Sequence, residues 1–290
     1  MMAFVGKTIN TDRIKLAYVE SGNPDGIPVL AIHGWLDNAA SFSRLSEKMD
    51  LSNIRLIAVD LPGHGLSDHR DKGQIYHLMD YVVDIVGLIK SLALNQVVLL
   101  GHSLGGIISL LTASAIPSKV GQLILLDSFG PMVDKEDQVS EQLRKAISKI
   151  CLSTPRMPAV YHTIDDAVKV RLGGFGKIEP DAARVLLERG LIKRQNGYSW
   201  ATDARLREPS LIRLSEPQVE GFMRGVECPV CLIAASDGYV SLEPKYNPRL
   251  SYIAALETHK VSGHHHFHLD GDVTKTADII NKFITFNAHN

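Results

Sequence analysis

Apolar residues along this chain fall into two patterns. The first is short and β-rich. Ile14-Lys15-Leu16-Ala17-Tyr18-Val19 tends to period two, and continuous apolar runs occupy Val29-Leu30-Ala31-Ile32, Leu56-Ile57-Ala58-Val59, Val97-Val98-Leu99-Leu100 and Leu123-Ile124-Leu125-Leu126. Runs that are apolar at every position suit strands buried on both faces of a sheet. The second pattern has helical period and fills the gaps, over Ser41 to Met49, Leu78 to Leu92 and Gly106 to Ala115. Strand and helix in alternation predict a mostly parallel sheet with right-handed crossovers.

The alternation stops after Asp127. From Pro131 to Gly225 the spacing predicts helices over Glu136 to Ile150, Asp165 to Arg171, Asp181 to Arg189 and Glu216 to Arg224, with no strand run. Pro155, Pro158, Gly173-Gly174 and Pro209 punctuate this stretch. A strand resumes at Pro229 to Ala234, then a helix near Arg249 to Leu256, a short edge strand at His259 to Val261 and a closing helix from Thr276 to Phe286. The expectation is an α/β core in two parts, residues 1–130 and 226–290, interrupted by a helical cap over residues 131–225.

Composition narrows the function. Lys plus Arg is 31 and Asp plus Glu 32 in 290 residues, a net charge of −1, so the basic surplus of a dedicated nucleic-acid binder is missing. A hydrophobic fraction of 45% excludes a disordered chain. No apolar stretch approaches the ~20 residues of a spanning helix; Tyr81 to Leu94 is interrupted by Asp84 and Lys90. The first residues lack the pattern of a signal peptide, and three cysteines are too few for a disulfide framework, which points to a reducing cytoplasm. Cys228-Pro229-Val230-Cys231 is a lone pair with Cys231 inside a predicted strand, so packing is the expected role. No cofactor and no native metal are expected; a monomer and a homodimer are equally open.

Gly101-His102-Ser103-Leu104-Gly105-Gly106 follows a predicted strand and opens a predicted helix. That is the setting of a nucleophile elbow, in which a strained serine needs neighbours without a Cβ. His33-Gly34-Trp35 follows an earlier strand. The backbone N–H groups of Trp35 and Leu104 are the candidate oxyanion donors, and the His33 side chain is expected to be structural. Serine needs a base. Late in the chain that base falls in Gly263-His264-His265-His266-Phe267-His268-Leu269-Asp270; His289 lies in the tail. The acid that orients it follows one of two strands. Asp237 is favoured over Asp127. Phe129, Phe175, Tyr198 and Trp200 are candidates for pocket lining, with packing the blander role of each.

Together with Asp60-Leu61-Pro62-Gly63-His64-Gly65-Leu66-Ser67, these motifs resemble the α/β-hydrolase superfamily over nearly the whole chain. His33-Gly34-Trp35-Leu36-Asp37-Asn38 and Gly197-Tyr198-Ser199-Trp200 are similar to its serine hydrolase-like branch. The resemblance implies an eight-stranded, mostly parallel sheet. It implies a register in which His265 is the base, with His266 one loop step away, and a structural His64. Asp237 occupies the commoner acid position. The implied activity is a serine carboxylesterase for small to medium acyl esters. A hydrolase-fold receptor with little turnover is the alternative, as is a carbon–carbon bond hydrolase, thioesterase or perhydrolase on the same residues.

Overall fold

A computed structural model describes residues 5–152, 159–174 and 176–287; Pro155, Pro158, Phe175 and His289 lie outside them. The strands are β1 (Val5–Asn10), β2 (Lys15–Gly22), β3 (Ile27–Ile32), β4 (Ile54–Val59), β5 (Val97–His102), β6 (Val120–Leu126), β7 (Leu191–Arg194), β8 (Gly197–Trp200), β9 (Val230–Asp237) and β10 (Leu256–His264). Eight form one sheet in the order β1-β2-β4-β3-β5-β6-β9-β10. β1 and β2 are antiparallel to their neighbours, and every pairing from β4 to β10 is parallel.

The continuous apolar runs bury both faces of this sheet. Leu30, Ile32, Ile57, Val59, Leu99 and Leu125 face one core, and Val29, Ala31, Leu56, Ala58, Leu100 and Leu126 face the other. Helices cover both sides: α1 (Ser43–Ser46), α2 (Leu78–Ser91), α3 (Leu104–Ala115), α4 (Val139–Cys151), α5 (Ile164–Leu172), α6 (Pro180–Gly190), α7 (Glu216–Arg224), α8 (Phe267–Asp270) and α9 (Val273–Asn287). In α2, Tyr81, Ile85, Leu88 and Ile89 recur at helical spacing and are buried in the first core. Ala277, Ile280 and Ile284 of α9 are buried in the second.

Between β6 and β9 lie α4 to α7 and an antiparallel hairpin, β7-β8, where no strand was expected. Each arm is only four residues long, too short for period two to show, but Asn196-Gly197 is a hairpin signal. Two other expectations shift. The region near Arg249 folds as one 3-10 turn, Pro248–Ser251, and the last strand starts earlier, at Leu256. β1 is exposed along almost its whole length, so it left no apolar run to read.

The insertion is fastened to the core by polar contacts. Arg189 pairs with the buried Asp60 at 2.7 Å. Asn38 donates to Leu186 O at 2.8 Å, and Trp35 Nε1 to Leu206 O at 2.9 Å. Leu269 of α8 is buried among Ala183, Leu186 and Leu187 of α6. Among the described residues no helix is long and apolar enough to cross a membrane.

Candidate active site

β5 ends at His102 and α3 begins at Leu104, so one residue makes the turn. That residue, Ser103, has φ 52° and ψ −116°. A side chain held in this left-handed region costs about 1–3 kcal/mol, and surrounding structure must enforce it. Gly101 and Gly105 allow it. A Cβ on Gly101 would lie 2.5 Å from Gly105 O, and one on Gly105 would lie 1.9 Å from Ile32 O. Ser103 N donates to Leu126 O, and Ser128 Oγ donates to Ser103 O at 2.6 Å, which fixes the turn from β6.

Leu104 is the first residue of α3, where N–H groups have no acceptor within the helix. Trp35 follows Gly34 in the loop after β3. A Cβ on Gly34 would lie 3.2 Å from Ser103 Cβ, so this loop runs against the serine.

Of the two candidate acids, the one bonded to His265 follows β6. Asp127, directly after β6, is buried, and its Oδ2 accepts from His265 Nδ1 at 2.6 Å. The same carboxylate accepts from Tyr239 N at 2.8 Å and Val240 N at 3.3 Å. Asp237, the favoured acid, is instead exposed at the end of β9, where its Oδ2 accepts from Ser236 Oγ. The reason is the turn that follows it. The chain folds over Asp127 at Gly238, so closely that a Cβ there would lie 2.3 Å from Asp127 Oδ1. The turn after β9 cradles the Asp127 carboxylate. Only a glycine fits at 238 against that carboxylate.

His265 follows the end of β10 and is buried. Its ring lies 4.6 Å from that of His102, the residue before Ser103, and 4.4 Å from that of Tyr239. His102 Nε2 donates to His265 O at 3.0 Å. With Nδ1–H given to Asp127, Nε2 of His265 is the nitrogen able to accept a proton. His266 points elsewhere: its Nε2 lies 3.1 Å from Asp37 Oδ2 and its Nδ1 donates to Lys177 O at 3.1 Å. Burial disfavours the charged form of His266, but Asp37 outweighs that and raises its pKa. Burial also opposes ionisation of Asp37, yet His266 and Arg171 hold its carboxyl well below the usual range.

Three further histidines, His33, His64 and His268, are structural in geometry. His33 Nε2 accepts from Leu61 N at 3.0 Å. His64 is buried and donates to Pro62 O. His268 bonds Ser41 Oγ at 2.8 Å, and burial pushes its pKa down to about 3. Cys228 and Cys231 are free and buried, and burial raises their thiols to about 11 and about 12, unsuited to redox chemistry. Phe129 is buried in the first core, and Trp200 donates Nε1–H to Tyr161 OH within the insertion. Tyr198 exchanges backbone hydrogen bonds with Tyr161. Sequence reading missed the cluster of Asp37, His102, His266 and Arg171. Asp37 lay inside a quoted motif, but a lone Asp after a turn carries no pairing signal.

A family model described as alpha/beta hydrolase fold matches residues 27–150. A probable serine hydrolase of Drosophila melanogaster is 31% identical over 261 residues, covering 86% of this chain and 78% of that protein. Serine hydrolase-like protein 2 of Homo sapiens is 30% identical over 281 residues, covering 91% and 88%. The crystal structure of a hypothetical protein from Pseudomonas aeruginosa PAO1 is 39% identical with a TM-score of 0.89, covering 98% of this chain and 99% of that one.

Proposed function

The chain belongs to the α/β-hydrolase family, with relatives named serine hydrolases, and on that premise we propose that it is a carboxylesterase for small to medium acyl esters, with Ser103, His265 and Asp127 as its triad. Ser103 Oγ attacks the ester carbonyl as His265 Nε2 takes its proton. The N–H groups of Trp35 and Leu104 hold the oxyanion. Collapse expels the alkoxide, which leaves as the alcohol with the proton from His265. A water, deprotonated by the same nitrogen, then attacks the acyl-enzyme. The carboxylic acid is released and Ser103 regains its proton. Asp127 holds the imidazole in the correct tautomer and stabilises its charged form. Each oxyanion donor is worth about 3 kcal/mol in a site of this type. The insertion over residues 131–225 acts as the cap that shapes the acyl pocket.

One observation carries this reading: the 2.6 Å bond from His265 Nδ1 to buried Asp127, beside a serine held at positive φ. The experiment is fluorophosphonate labelling with peptide mapping, run alongside p-nitrophenyl esters from acetate upward. Label on Ser103 and ester turnover that disappears in folded Ser103→Ala are expected. Labelling without turnover of any ester would move the substrate to an acyl-CoA or a vinylogous diketone, both included in the panel. A folded wild type that takes no label would overturn the serine-hydrolase mechanism.

A further inference from the structure

Behind the triad, on the far side of His102 from its bond to His265 O, is a buried group of Asp37, His102 and His266. One donor atom from each lies within 4.8 Å of the others. His102 is fully buried, and its Nδ1 has no hydrogen-bond partner. An unmet buried nitrogen is costly and calls for an explanation. Its Nε2–H is fixed on His265 O, so the lone pair sits on Nδ1, 4.0 Å from Asp37 Oδ2. His266 Nε2 lies 3.1 Å from the same oxygen, and its Nδ1–H is fixed on Lys177 O. Gly34 keeps the approach to His102 Nδ1 clear, since a Cβ there would lie 2.9 Å from that atom.

We propose that Asp37 Oδ2, His102 Nδ1 and His266 Nε2 form a binding site for a divalent transition metal ion, with Zn²⁺ the natural occupant. Each imidazole anchors its second nitrogen on a backbone carbonyl, which is how metal-bound histidines are held in orientation. Asp37 Oδ1 is engaged by Arg171 Nη2 at 3.2 Å, which leaves Oδ2 toward the two rings. The same Nη2 lies 3.3 Å from His266 Nε2, so metal entry shifts the guanidinium fully onto Asp37. Bonds of about 2.0–2.2 Å place tetrahedral ligand atoms roughly 3.3 Å apart. The 4.0 Å gap from His102 to Asp37 therefore closes by less than about 1 Å. Two imidazoles and one carboxylate suit Zn²⁺, Co²⁺ or Ni²⁺; Ca²⁺ and Mg²⁺ require oxygen ligands. His266 enters as the neutral ligand, and any proton on Nε2 leaves to solvent. A bound ion would also pin His102, which carries both His265 O and the strand end before Ser103.

The test uses the full chain, stripped with EDTA. Titration with Zn²⁺ followed by calorimetry is expected to show one equivalent bound. Co²⁺ is expected to give the visible bands of a four- or five-coordinate site. Asp37→Asn and His266→Gln lose this binding, while His264→Gln and His259→Gln on the β10 edge retain it. Either buried variant could unfold. Anomalous diffraction from a Zn²⁺-soaked wild-type crystal therefore gives an independent reading, with a peak expected within about 2.2 Å of all three donor atoms. No binding at micromolar metal would overturn the site. So would a peak only at exposed histidines such as the His259–Glu257 pair.

Discussion

His265 and His266 are consecutive in the chain, their rings lie 5.3 Å apart and nearly perpendicular, and each meets a buried carboxylate. Their surroundings divide them. Asp127 is already held by two backbone N–H groups, so His265 is one of three donors to a preorganised anion. Its ring lies 4.6 Å from that of His102, the residue before Ser103. His266 is tied at both nitrogens, to Asp37 and to Lys177 O. One ring can carry a proton through a reaction; the other is a fixed post between the core and the insertion. Residue type does not separate the two roles. The backbone step from one to the next does, because it turns adjacent side chains toward different carboxylates.

His64 supplies the third point of this comparison, a buried histidine bonded to a carbonyl with no carboxylate bonded to it. Burial, with a smaller contribution from neighbouring His33, pushes its pKa down to about 3. His266, buried as well but bonded to Asp37, is raised instead.

The largest expected effect separates the consecutive pair. His265→Gln should lower ester turnover by about 10⁴-fold or more, as loss of a triad base does. If His265→Gln kept turnover within tenfold of wild type, the base would lie elsewhere. A smaller effect sharpens the comparison with His64. Its folded pKa lies below the ordinary value of 6.5, so between pH 6.5 and about 3 the unfolded chain binds a proton there that the folded chain does not. That stability is complete above 6.5 and is lost as the pH falls, by about 1.4 kcal/mol per pH unit for one such group. Urea midpoints from pH 7.5 to 5 should fall more steeply for wild type than for His64→Gln. Equal slopes would mean that His64 is hydrated in the native state.

The sheet and the elbow were legible because both rest on local rules. Val97–Leu100 suits a strand buried on both faces, and a serine between Gly101 and Gly105 at its end suits a strained turn. The carboxylate that meets His265 was not, because that is decided by contact between distant segments. Asp127 follows β6 and Asp237 ends β9, and nothing local says which will be covered. What decides is the turn at Gly238, which closes on its neighbour across the sheet. The β7-β8 hairpin escaped for a different reason: Leu191-Ile192-Lys193-Arg194 has too few positions to establish a period. Asp37 and Arg171 are 134 residues apart and meet only because α5 packs over the loop after β3.

One ratio decides whether the acid of the triad comes from β6. Asp127→Asn and Asp237→Asn are compared by kcat/KM on the same p-nitrophenyl ester, with folding of both verified by circular dichroism. Asp127→Asn is expected to fall about 10⁴-fold, as when a triad acid is made neutral, while exposed Asp237→Asn stays within threefold of wild type. A folded Asp237→Asn enzyme as impaired as Asp127→Asn, or an Asp127→Asn enzyme that keeps full activity, would contradict it.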